Sequence, residues 1–441
     1  MKKISQYGII LGMNYVKEML DFIYKSPTAF NACENIKETL LENGFKEVME
    51  EEKFNFETNK NYFISRNDSS ILAFKIPAKI ENTGFKIIAS HLDAPSFKIK
   101  PKNLIKKNGY LLLNTEGYGG MLMATWFDKP LALAGRLILK TESGIESRII
   151  NIDENLMQIN NLAIHMNREA NSGYSYNAQQ DLLPLFSLNE EDTLEKYLAN
   201  KSEVAVEDIM SYDLFLYPNM PGYTYGFNNE FVASYHLDDL ACTYTSLQAF
   251  LEAENNDQIS VLACFDNEET GSLTRQGAYS NFERLYLEKL CSDLGLVYEV
   301  ALANTLMLSA DNAHAYNPNY EAKYDQNNRT FLNKGLVIKS NANQSYTSDA
   351  LSLGILKTIL DRNSIPYQFF TNRSDVRGGS TLGNLANSQV SIMAVDVGLA
   401  QLAMHSTIET VGYQDVETAI KAFRAFYLTT VIKEGKNIKI K

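Results

Sequence analysis

Four times along this chain a short apolar run gives way abruptly to histidine, aspartate or glutamate. Residues 86–90 run into His91-Leu-Asp93, and residues 260–265 into Asp266-Asn-Glu-Glu269. Residues 304–308 run into Ser309-Ala-Asp311, and residues 390–396 precede a loop carrying His405. Short apolar runs flanked by turn residues, here and at 71–76, predict strands. In open α/β sheets, functional groups gather beyond the carboxyl ends of the strands. The repetition therefore predicts an α/β fold whose strand ends supply one polar site.

The rest of the chain divides around this pattern. Tyr15, Met19, Phe22 and Ile23 recur at helical spacing, which predicts a helix over 14–25 broken by Ser26-Pro27. A second helix is expected over 31–43, with Gly44 as its C-cap. From about 94 to 235 the texture changes to aromatic and β-branched residues punctuated by glycines, with little helical period. That predicts a β-rich unit, 94–235, inserted into an α/β domain made of 1–93 and 236–441. Within it the Glu- and Asn-rich tract 189–206 reads as a surface helix and loop.

Charge and cysteine usage exclude several functions. Lys plus Arg number 41 against 53 Asp plus Glu, a formal net charge of −12. This argues against nucleic acid or an anionic membrane as partner, since both need basic surfaces. Cys33, Cys242, Cys264 and Cys291 are scattered without a Cys-x-x-Cys pair. They form neither a disulfide framework nor a thiolate zinc site, and they suit a reducing cytoplasm. The stretch after Met-Lys-Lys is interrupted by Gln6 and Asn14 before Lys17 and Glu18, and reads as a mature N-terminus rather than a signal peptide. No Gly-x-Ser-x-Gly elbow of a serine hydrolase is present.

The five histidines are His91, His165, His236, His314 and His405. In His91-Leu-Asp93 a carboxylate stands two residues from an imidazole, near enough to fix its orientation as a metal ligand; a plain polar loop is the alternative. In Glu268-Glu269 adjacent carboxylates repel unless a cation intervenes, and their side chains point apart. One can hold a metal while the other moves a proton; an acidic loop is the alternative. In Asp238-Asp239 one carboxylate can bridge two metals, or the pair can start a helix. Ser309-Ala-Asp311 and Met404-His-Ser406 add an aspartate and a second histidine. His91, Asp238, Glu269, Asp311 and His405, with Glu268 to spare, make a ligand set for a co-catalytic di-metal hydrolase. Mixed nitrogen and oxygen donors favour zinc. The five are far apart in sequence, so spacing alone does not identify the site.

Taken in order, the segments resemble the aspartyl aminopeptidase family of zinc metallopeptidases (metallopeptidase family 18), in a bacterial branch. The resemblance runs from Asp21-Phe-Ile-Tyr-Lys-Ser-Pro27 through His91-Leu-Asp-Ala-Pro95, Tyr118-Gly-Gly120 and Leu162-Ala-Ile-His-Met-Asn-Arg168. It continues through Asp266-Asn-Glu-Glu269, Ser309-Ala-Asp-Asn-Ala-His-Ala315, Gly335-Leu-Val-Ile-Lys339, Gly379-Ser-Thr-Leu-Gly383 and Met404-His-Ser406.

What the resemblance implies is specific. The enzyme removes the N-terminal residue of a peptide, with a preference for Asp or Glu there. His91, Asp238 and Asp311 hold one zinc, Asp238 bridges, and Glu269 and His405 complete the second; Co2+ or Mn2+ are possible substitutes. Glu268 is the general base and Asp93 orients His91. Lys339 and Tyr346, with His314 nearby, line the substrate's first residue. His165 reaches into a neighbouring subunit's site. The inserted unit is a dimerisation domain, dimers build a tetrahedral dodecamer, and the peptide after the bridging aspartate is cis. Two residues depart from the family pattern: Asp239 stands where many members have Asn, and Arg377 is an unexpected charge near the pocket. A related di-zinc carboxypeptidase or deacylase, and a self-assembling scaffold without activity, are the competing readings. All six of His91, Asp238, Glu268, Glu269, Asp311 and His405 are present, which favours the enzyme.

Overall fold

The computed structural model describes residues 4–254 and 257–441. Residues 1–3, where the expected mature N-terminus begins, lie outside the described residues. The fold is mixed α/β, dominated by a nine-stranded sheet. Its order is Lys46–Glu47, Lys60–Arg66, Ser70–Ile76, Ile259–Phe265, Phe85–His91, Leu306–Ala310, Met393–Gly398, Leu336–Lys339 and Tyr367–Phe370. The four strands from Ile259–Phe265 to Met393–Gly398 are mutually parallel, so their carboxyl ends lie along one edge. Phe265 pairs with His91, and Ala310 with Val397, which aligns the ends.

Alternation along these strands serves two cores. Ile88, Leu262, Leu308 and Val395 pack on one face with Leu240, Leu247, Phe250 and Phe423 of the helices Leu237–Glu252 and Tyr413–Leu428. Ile87, Ala89, Val261, Ala263, Met307 and Ala394 pack on the other with Phe282, Leu290, Leu382 and Ala386 of Phe282–Leu294 and Leu382–Val390. Successive side chains of a strand point to opposite faces, so a sheet covered on both sides reads as a continuous apolar run.

The expected helices are present with adjusted ends. The first spans Ile4–Lys25. The second spans Ala29–Glu42, starting earlier because Thr28 caps it through Oγ1, which accepts from the Asn31 amide. The strand expected from 390 begins instead at Met393. Val390 ends a helix, because Ser391 turns left-handed and its N–H closes on Asn387 O.

A second, six-stranded antiparallel sheet draws its strands from residues 96–218. Its core holds Trp126, Phe97, Leu133 and Leu216, with Leu194 and Leu198 from the helix Leu194–Ser202. Tyr223–Tyr225 and Phe231–Ser234 belong elsewhere, to a five-stranded sheet with Glu409–Gly412, Ala400–Leu402 and Ala313–His314. That small sheet brings the start of the Leu237–Glu252 helix beside the loop of His405. Among the described residues no helix is long and apolar enough to cross a membrane.

Candidate active site

His91 ends its strand with its ring buried. Its Nδ1 lies 3.0 Å from the Asp93 carbonyl oxygen and 3.4 Å from Asp93 Oδ1. That engages one ring nitrogen and turns Nε2 toward Asp238, 3.6 Å from Oδ1. A histidine whose other nitrogen is held this way has its tautomer and orientation fixed.

Asp238 lies in the first turn of Leu237–Glu252, where Asp238 and Asp239 depart from helical geometry and are joined by a cis peptide, as the resemblance implies. The two readings of Asp238-Asp239 thus coincide: the pair starts a helix and also faces the histidines. Asp238 Oδ2 is 3.5 Å from His405 Nε2, and Glu269 Oε1 is 3.2 Å from the same nitrogen. Each oxygen of one carboxylate therefore faces a different imidazole. His91, Asp238 and Asp311 form one group, and Asp238, Glu269 and His405 another; within each, donor atoms lie within 4.8 Å of one another. His91, Glu268 and Glu269 form a third such group.

The electrostatics of the metal-free protein are congested. Burial lifts the Glu268 carboxyl to about 8, with Asp311 and Glu269 adding to the rise against His91. Burial lifts Glu269 to about 7 despite the bond to His405. Asp311 is raised by burial, against Lys339. Burial opposes charge on His405, but the bonds to Asp238 and Glu269 outweigh it and raise the imidazole to about 11. Burial also works against a charged Asp238, yet the two histidines hold it below the usual carboxylate range. Buried acids crowded in this way need protons or cations between them. Asp238 Oδ1 is buried without a hydrogen-bond partner. The orphaned oxygen and the mixed imidazole–carboxylate donors fit divalent cations, zinc foremost.

Three further carboxylates gather the backbone of this cluster. Asp93 Oδ1 and Oδ2 accept the Glu268 and Glu269 amides at 3.0 and 3.1 Å. Asp239 Oδ2 accepts the His91 amide at 3.3 Å. Glu409 Oε1 and Oε2 accept the His405 and Asp238 amides at 2.7 and 3.0 Å. Asp311 needs none of these, since its amide donates to Val397 O in the sheet at 2.9 Å. Sequence reasoning missed Glu409, whose one signal is an acid four residues past His405 at the head of a buried strand. It also gave no role to Tyr118, whose hydroxyl donates to Asp93 Oδ2 at 2.7 Å.

The remaining candidates are spread out. Lys339 is wholly buried, its Nζ 3.3 Å from Asp311 Oδ2 and 3.2 Å from Asn312 O, with the Tyr346 ring 5.3 Å away. His314 meets the Phe370 ring edge-on at 6.0 Å. His165 is exposed in the insert, in none of the metal groups. Arg377 is exposed on its loop.

Fold and site define a class, the metal-dependent hydrolases. Residues 22–427 match the model of the aminopeptidase I zinc metalloprotease (M18) family. A probable M18 family aminopeptidase 2 of Clostridium acetobutylicum is 43% identical over 427 residues, covering 94% of this chain and 99% of that protein. Its counterpart in Stutzerimonas stutzeri is 36% identical over 417 residues, covering 93% and 97%. Among solved structures, Ape4 from its complex with Nbr1 is 34% identical with a TM-score of 0.91, covering 95% of this chain and 86% of the other. The S. cerevisiae mApe1 dodecamer is 27% identical with a TM-score of 0.83, covering 93% and 96%. The chain belongs to the M18 family of zinc aminopeptidases.

Proposed function

We propose that this aminopeptidase uses two zinc ions per chain, one held by His91, Asp238 and Asp311, the other by Asp238, Glu269 and His405. The observation that carries the reading is Asp238, whose two oxygens each face a different histidine. Zinc supplies Lewis acidity there, polarising the scissile carbonyl and acidifying water. Glu268 is the base: it takes the proton of the attacking water and passes it to the leaving amine. Its backbone is fixed by Asp93. Its side chain belongs to neither of the two groups assigned to zinc, so it can move a proton without giving up one of those ligands.

Preference for Asp or Glu at the first position rests on Lys339 with Tyr346 and His314. A substrate carboxylate would share the Lys339 ammonium with Asp311, so a modest preference is the expectation. Arg377, exposed on its loop, would add a second positive group or reshape the pocket by repelling the first. The chain acts as a dimer, with His165 serving the partner's site, and the dimers build a dodecamer, the assembly of the S. cerevisiae mApe1 structure. Leu162, Ile164 and Met166 around His165 are exposed apolar side chains on one loop, which a second subunit would cover. Four free, buried cysteines are in keeping with a cytoplasmic protein.

The test is hydrolysis of a panel of aminoacyl chromogenic substrates, with zinc counted per chain and with a chelator arm. Cleavage that a chelator abolishes and zinc restores is expected. Leucyl substrates cleaved as well as glutamyl and aspartyl ones would end the acidic preference alone. Activity that survives removal of all metal would end the catalytic reading.

A further inference from the structure

Glu409 opens the Glu409–Gly412 strand and is 2% exposed, yet it belongs to none of the candidate metal groups. Its carboxylate is engaged twice, by the amides of His405 and Asp238.

Each amide has a physical reason to need that acceptor. Asp238 lies in the first turn of a helix, where N–H groups lack intrahelical partners. The residue at the cap, His236, is left-handed at φ 53 and makes no capping bond through its side chain. Glu409 supplies, from 171 residues away, the acceptor that a capping Ser or Asp would supply locally. His405 is itself left-handed at φ 65, as is Ala403 at φ 56. Residues other than glycine hold that conformation where their surroundings over-determine it. Here Leu122 N donates to His405 O at 3.0 Å, and Glu409 takes the N–H. Glu409 is placed in turn by strand register, opposite Ser234.

We infer that Glu409 is a positioning residue for the metal centre. One buried carboxylate ties the backbone of Asp238 to that of His405, and so sets the separation of two of the three side chains assigned to the second zinc. The inference rests on the two-ion reading above.

The test is zinc binding to chelator-stripped protein, read as stoichiometry and as dissociation constants by competition with a chromogenic chelator. Glu409→Gln keeps the shape but turns an NH2 group toward one of the two amides. The ion of the His405 group, where Glu409 holds the backbones of both Asp238 and His405, is expected to bind about 10–100-fold more weakly, the range found when groups supporting a metal ligand are changed. The ion of the His91 group, which shares Asp238 alone, should be weakened clearly less. Activity should return when zinc is raised to saturate the weakened site, which a catalytic or purely structural role would not allow. Glu409→Asp keeps the charge on a shorter arm and should weaken the same ion by less; it carries the test alone if Glu409→Gln does not fold. Unchanged affinities in a folded variant would overturn the inference. So would equal weakening of both ions, or a kcat deficit that saturating zinc leaves in place. Unaltered protein that takes up one ion per chain would instead defeat the two-ion reading, and that result appears before any variant is made.

Discussion

The nine-stranded and six-stranded sheets are built from similar residues and put to different uses. In Ile259–Phe265 and Phe85–His91 all seven positions are buried. In Gly144–Met157, an edge strand of the six-stranded sheet, two of fourteen are. A parallel sheet covered on both faces has no room for polar side chains along its strands, so they collect at the ends. An antiparallel sheet can carry polar residues along one face. The first arrangement concentrates chemistry at an edge, and the second spreads a surface.

The second sheet nevertheless reaches back to the first through residues 118–129. Tyr118 donates to Asp93, Leu122 N to His405 O, and Thr407 N to Thr125 Oγ1 at 3.1 Å. Gly119 lies left-handed at φ 72, and a Cβ there would stand 3.0 Å from the Glu269 Cβ. One segment of the insert is therefore part of the site's wall.

If chemistry sits only at the parallel edge, the largest effect belongs to Glu268. Glu268→Gln keeps the shape and removes the proposed base, so kcat should fall about 10²–10⁴-fold, the usual worth of general acid–base catalysis, with zinc content unchanged. Glu269→Gln, one residue on, should lower zinc content instead. Retained activity in Glu268→Gln would remove the base from the strand end.

Next is Lys339, at the end of the Leu336–Lys339 strand of the same sheet. Breaking a buried ion pair by deleting one partner costs about 3–5 kcal/mol, and Lys339→Met should cost the metal-stripped protein that much in denaturant unfolding. Zinc-loaded protein should lose less, because a bound cation replaces the ammonium as the countercharge of Asp311. Equal losses in both forms would show that Asp311 does not depend on Lys339. A rise in KM confined to glutamyl and aspartyl substrates would tie Lys339 to specificity.

Tyr118→Phe tests the reach of the insert. It removes the hydroxyl between Asn267 Nδ2, which donates to it at 2.8 Å, and Asp93. Zinc affinity or activity should fall about tenfold, the lower end for groups one step behind a ligand. No change in either would confine the six-stranded sheet to a role away from the site.

The same comparison explains what the sequence made legible. Strand ends are visible because an apolar run stops at a carboxylate or imidazole, as at His91, Glu269 and Asp311. Their convergence is not visible, since 314 residues separate His91 from His405 (405 − 91); for that, the ordered resemblance was needed. Glu409 and Tyr118 left no pattern because a side chain bonding a distant backbone amide or carboxylate has no period. The break at Ser391 was missed because a left-handed serine carries no signature of its own. The strands at 223–225 and 231–234 look like residues 94–218 in composition, and only the pairing of 231–234 with 409–412, with 223–225 alongside, separates them from those residues.

The smallest effect should come from a helix that belongs wholly to the second sheet. Thr193 caps Leu194–Ser202, its hydroxyl accepting the Lys196 amide at 3.2 Å, and the helix sets Leu194 and Leu198 into the insert's core. Thr193→Ala leaves that amide to water, a loss of about 1 kcal/mol for a cap. Asp349→Ala should cost about as much at the other sheet, since Asp349 Oδ1 accepts the Ser352 amide at 2.8 Å at the head of Ala350–Arg362. The two differ in what they sit beside. Asp349 follows Thr347 and Ser348, which bond Asp396 on the Met393–Gly398 strand, so its loss should loosen the wall that holds Tyr346 and raise KM. Thr193→Ala should lower the unfolding midpoint of the insert and leave KM, kcat and zinc affinity where they were. A fall in zinc affinity from Thr193→Ala would mean that strain in the second sheet passes through residues 118–129 into the metal ligands, and the two sheets would then be one mechanical unit.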